Sequence, residues 1–115
     1  MAIESSAVIT TGSTIYTCPG VIGSDEREYA VTCIMFCNNS NQTINLTVHY
    51  VARLSTVNNS NMVIKNLSLP AGETFTFDTE KVVLATGDRI QAFASVNPDG
   101  SGLGINATVS SMRVS

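Results

Sequence analysis

The strictest constraint in this chain is an alternation of apolar and polar residues with a period of two. From Gln42 to Tyr50, Ile44, Leu46, Val48 and Tyr50 fall on one side, and Thr43, Asn45, Thr47 and His49 on the other. Successive side chains of a strand point to opposite faces, so the spacing predicts a strand with one buried and one wet face. Helical spacing of apolar residues is nearly absent along the whole sequence. The chain is thereby confined to all-β architectures.

Punctuated segments of the same kind fill the rest. Ala7–Thr10 and Thr14–Cys18 bracket Gly12. Met62–Leu69 is closed by Pro70-Ala71-Gly72, a turn signal, and is followed by Glu73–Phe77 with Phe75 and Phe77 inward. Val82–Leu84 stops at Thr86-Gly87, and Leu103–Met112 places Leu103, Ile105, Ala107 and Val109 on one face. Asp78–Lys81 reads equally as a tight turn or as one helical turn. Eight or so short strands in 115 residues predict one antiparallel β-sandwich over 1–115, jelly-roll or immunoglobulin-like, with a short N-terminal arm.

Two strands set the candidate site. On a single phase, Val31, Cys33, Met35 and Cys37 share one face of Val31–Cys37, leaving Thr32, Ile34 and Phe36 on the other. Within Asp88–Val96, Ile90, Ala92, Ala94 and Val96 point inward and Arg89, Gln91, Phe93 and Ser95 outward. Ile34, Phe36 and Phe93 then form an apolar patch outside the core. Such a patch on a small domain marks a contact surface.

Composition excludes several functions. Only 13% of residues are charged, against roughly a quarter in ordinary soluble domains, while 36 are Ser, Thr or Asn. Six basic residues against nine acidic cannot neutralise a row of phosphates, so no nucleic-acid partner is expected. No stretch of about 20 residues is continuously apolar, which argues against a membrane-spanning helix. Met1–Thr11 lacks the basic and apolar regions of a signal peptide, and three cysteines suit a reducing compartment better than a disulfide framework. Six Asn-x-Ser/Thr triplets begin at Asn38, Asn41, Asn45, Asn58, Asn66 and Asn106, and they follow from polar strand faces without any glycosylation.

Catalysis finds no foothold. His49 is the one histidine and falls on a wet strand face, where it reads as a surface residue. Cys33 and Cys37 lie about 13 Å apart along an extended strand, too far to bridge or to share a metal, and read as small core residues. Asn97, Asp99 and Ser101 space oxygens like half a calcium loop, but Thr108 stands where the bidentate glutamate belongs. No catalytic residue, metal or cofactor is expected. For glycan binding, Tyr16 and Tyr29 read as packing residues, and tryptophan is absent.

The succession Ile64-Lys65-Asn66-Leu67-Ser68-Leu69-Pro70-Ala71-Gly72-Glu73-Thr74, followed by Val83-Leu84-Ala85-Thr86-Gly87-Asp88-Arg89-Ile90-Gln91-Ala92, resembles small virion proteins of tailed bacteriophages. Thr14-Ile15-Tyr16-Thr17 and Cys33-Ile34-Met35-Phe36-Cys37-Asn38 are compatible with that likeness, which extends from Gly12 onwards. The resemblance implies a β-sandwich subunit that decorates or cements a capsid, located in the virion after assembly in the host cytoplasm. Its implied partners are the major capsid protein or other virion proteins, and copies of itself as a homo-oligomer. A host-glycan-binding adsorption module and a tail- or fibre-associated structural protein are the alternatives. The resemblance carries no active-site motif to transfer.

Overall fold

The computed structural model describes residues 2–77 and 82–115; the Asp78–Lys81 connection lies outside them. Among the described residues nine strands follow in order: β1 (Ala2–Val8), β2 (Ser13–Thr17), β3 (Glu28–Asn38), β4 (Ile44–Val51), β5 (Met62–Leu69), β6 (Thr74–Phe77), β7 (Val82–Ala85), β8 (Arg89–Ala94) and β9 (Ile105–Arg113). One turn of 3-10 helix, Asn59–Asn61, precedes β5. The larger sheet runs β1-β9-β3-β6, with β7 on the β6 side of β3, and the smaller runs β2-β8-β4-β5. All pairings are antiparallel.

The pairing is nested. β4 pairs β5, β3 pairs β6 and β7, β2 pairs β8, and β1 pairs β9. A long antiparallel ribbon hinged at β4–β5 and rolled over itself gives this order, which is a jelly roll. The immunoglobulin-like alternative has a different order and is set aside. Between the sheets lie Val8, Ile15, Tyr16, Val31, Ile34, Phe36, Ile44, Leu46, Val48, Ile90, Ala92, Ile105, Ala107 and Val109, all buried. Each large aliphatic side chain removed from water contributes roughly 1.5–3 kcal/mol.

Three local departures from simple alternation shape the molecule. In β3 the register with β9 slips between Val31 and Cys33, so Thr32 is an extra residue whose hydroxyl donates to the Ser110 carbonyl at 3.1 Å. In β2 the slip between Thr14 and Tyr16 makes Ile15 extra, and Ile15 and Tyr16 both turn inward. In β5, Asn66 takes φ +49 and its N–H donates to Thr47 Oγ1 at 3.1 Å, a left-handed position that Asn tolerates better than other residues with a side chain. Each is a bulge, which bends its strand and reverses the phase beyond it.

Two boundaries differ from expectation. The N-terminal arm is strand, with β1 starting at Ala2 and paired to β9 throughout. Leu103 belongs to the loop before β9 and is exposed, because Asp99 Oδ1 accepts from the Ser101 and Leu103 N–H groups and holds the chain in a turn there.

Candidate interaction surface

The bulge at Thr32 decides where the β3 side chains go. Val31 points inward before it, and Ile34, Phe36 and Asn38 point inward after it. Ile34 and Phe36 are therefore core residues, at 1% and 0% exposure, and not the outer patch expected of them. A single phase would have buried Cys33, Met35 and Cys37 at their expense. One extra residue lets Val31 and the larger Ile34 and Phe36 all be buried. Cys33 and Cys37 accordingly lie half-buried on the outer face and are not core residues, while Cys18 is buried, its thiol pushed up by desolvation.

Phe93 does lie on an outer face, that of the smaller sheet, but it is half-buried. Its ring meets the His49 ring edge-on with centroids 5.6 Å apart. The ring also abuts Gly12, at φ +102 in the β1–β2 turn, where a Cβ would stand 2.5 Å from Phe93 Cε2. His49 is buried too, correcting the surface histidine expected of it. The β4–β5 connection folds back so that Asn61 Oδ1 lies 2.8 Å from His49 Nδ1. An amide oxygen only accepts, so Nδ1 carries the proton. Ile34, Phe36 and Phe93 thus form no common patch.

The surface that does emerge is the outer face of the larger sheet. Cross-strand partners share a face, so Met35 lies beside Ser5, Thr108 and Thr76 through the pairings of β1, β9, β3 and β6. Ile3, Ser110 and Cys33 form the next row, and Ala7, Asn106, Cys37 and Thr74 the row on the other side. Toward the far end, Ala30 lies between Met112 and Val83. Ile3, Met35, Val83 and Met112 are exposed. From the Ala30 row to the Cys37 row, the described residues on this face carry no charge.

The charge missing there is collected at one end of the sandwich. Asp25, Glu26, Arg27, Glu28, Arg53, Asp88, Arg89 and Arg113 sit where the β2–β3, β4–β5 and β7–β8 connections lie, eight of the fifteen charged residues. There Arg27 pairs Asp25 at 2.6 Å and Arg53 pairs Glu26 at 2.9 Å, while Asp88 accepts from the Arg53 and Ala85 backbone N–H groups. Hydrogen bonds from the arginines hold the Asp25 and Glu26 carboxyls below their ordinary values of 3.8 and 4.5. A lowered folded value stabilises the fold above the ordinary value and loses that effect as pH falls through the lowered one. Thermal melts should therefore show a contribution constant near neutrality and fading below about pH 4, and Arg53→Gln should reduce the part due to Glu26 to what the Gly23 N–H holds.

Several loop asparagines are engaged internally rather than offered to a ligand. Asn38 makes buried bonds to Gln42 and Leu69, Asn58 Oδ1 accepts from the Ser60 N–H, and Asn61 Nδ2 donates to the Thr56 carbonyl. Tyr16 is buried and Tyr29 packs on the core, so neither offers a platform. Among the described residues no group of three His, Cys, Asp or Glu side chains is placed to hold a metal. Comparison with known proteins finds no matching family model, no matching curated protein and no matching solved structure.

Proposed function

We propose that the chain is a structural subunit of a tailed-phage virion, a decoration or cement protein that binds the shell through the outer face of its larger sheet and associates with copies of itself. The observation that carries this reading is the uncharged face centred on Met35, whose Thr, Ser and Asn neighbours can hydrogen-bond a partner without burying charge. Scarcity of charge ordinarily leaves a protein prone to association. Here it is arranged by location, with carboxylates and arginines concentrated at one end and an outer sheet face whose described residues carry none. Jelly rolls serve capsids and lectins alike, so the architecture supports the virion reading only by analogy. Many copies on a particle make modest individual contacts sufficient.

Mass spectrometry of purified particles tests the reading directly, with the protein expected as a stoichiometric component. Its absence from mature virions overturns the proposal. Met35→Glu, on the exposed face, should reduce occupancy on particles at least about tenfold, because an unpaired carboxylate would be desolvated in the contact. The same variant should leave the melting temperature of the free protein nearly unchanged, since exposed substitutions stay within about 0.5 kcal/mol. Undiminished occupancy removes this face from the interface.

A further inference from the structure

Of the four sheet edges, three are blunted in ways that hinder pairing with another chain. β2 carries the Ile15 bulge. β5 has two register irregularities, a left-handed Asn66 and Lys65. The β3 side ends in β6 and β7, only four residues each. β1 differs: seven residues paired to β9 without a slip, holding one charge, Glu4. A groove of about 460 Å³ opens along its free edge, between residues 4–6 of β1 and 14–17 of β2.

The direction of its backbone groups is fixed. Ala7 O accepts from Ser13 Oγ at 2.8 Å, so the Ala7 carbonyl points away from β9 toward the free edge. Backbone groups alternate along an antiparallel strand, so the N–H and C=O groups of Ile3 and Ser5 point the same way and have no partner in β9. These are the groups that another strand would have to meet.

We infer that the free edge of β1 pairs antiparallel with β1 of a second copy, centred on Ser5, joining two five-stranded sheets into one. The inference rests on the self-association proposed above, but not on the identity of the particle. Two identical edges joined by a two-fold axis can pair only antiparallel. Centring on Ser5 sets Ser5 opposite itself and Ile3 opposite Ala7, and allows about four backbone hydrogen bonds besides the Ala7 carbonyls, which Ser13 Oγ already engages. The exposed Ile3 side chain then packs on the partner's Ala7, and Glu4 faces the partner's Ser6, whose hydroxyl can donate to it. Centring on Glu4 would set two carboxylates opposite one another, which is repulsive. Centring on Ser6 would run Ile3 past the end of β1 into the turn, where Ile9 N already donates to Ser13 Oγ.

Sedimentation velocity on the full chain should show a concentration-dependent dimer. Ser5→Pro removes an N–H that points to the edge and leaves the bonds to β9 intact. It should weaken the dimer about tenfold or more with little change in melting temperature, since both bonds donated by the two Ser5 N–H groups across the two-fold axis are lost. Ser5→Cys provides a second measurement should that variant fold poorly. Paired Cα atoms about 5.5 Å apart suit a disulfide, so mild oxidation should link two chains through position 5, located by peptide mapping, while Ser6→Cys should not link. A monomer at every concentration, or a dimer that neither yields to Ser5→Pro nor links through Ser5→Cys, overturns strand pairing. A monomeric chain found on particles would leave the structural role standing and remove this contact; a Ser5-linked dimer absent from particles would do the reverse.

Discussion

Phe36→Ala is expected to destabilise the protein by roughly 3–5 kcal/mol, the cost of removing a fully buried aromatic ring and leaving a cavity. Phe36 is at 0% exposure, paired to Phe75 on β6 and Ala107 on β9, in the middle of the larger sheet. Small domains have about 5–15 kcal/mol in total, so the variant should melt many degrees lower and populate unfolded chain at physiological temperature. Chemical denaturation read by circular dichroism measures the loss. The neighbouring Met35, one residue away and 42% exposed on the opposite face, should tolerate alanine within about 1 kcal/mol. Equal costs at 35 and 36 would contradict the strand phase that the Thr32 bulge imposes.

That phase marks the boundary between what the residues disclose and what they conceal. Ile44, Leu46, Val48, Ile90, Ala92 and Ala94 alternate against neighbours that are polar except for Phe93, and all six are buried as their spacing requires. Among the described residues the nearly complete absence of helix follows from the same periodicity. In β3 both phases are apolar, so alternation cannot choose between them, and a bulge at Thr32 satisfies the larger residues of each. β1 was hidden for another reason. Glu4, Ser5 and Ser6 are polar on both faces, because one side meets solvent and the other opens on the groove beside β2. His49 looked wet because the loop that covers it returns from twelve residues downstream. For the contact surface, the scarcity of charge was plain in the composition. Its placement required the sheet order, which gathers Ile3, Met35, Val83 and Met112 from four strands far apart in sequence.

Asn38→Ala is expected to cost about 3 kcal/mol, because it orphans buried partners as well as removing an amide. Asn38 is fully buried at the end of β3. Its Nδ2 donates to the Gln42 and Leu69 carbonyls, each at 2.8 Å, and its Oδ1 accepts from the Ser40 N–H at 3.1 Å and the Ser40 hydroxyl at 2.6 Å. Two donors and two acceptor sites are all the amide has, and all are used. Through them one side chain ties the β3–β4 connection to the end of β5, and its backbone N–H and C=O hold Glu73 and Gly72. Asn38→Asp supplies the sharper test. A carboxylate there loses both donated bonds and is held without water, which raises its folded value above that of an unfolded aspartate, about 3.9. The folded state then binds more protons, so the stability of this variant should rise as pH falls from 7 to 4. The parent should not gain over that range, since the paired Asp25 and Glu26 carboxyls are more acidic when folded. Opposite slopes in urea-denaturation midpoints against pH would identify Asn38 as a buried amide tie between loops, and parallel slopes would refute it.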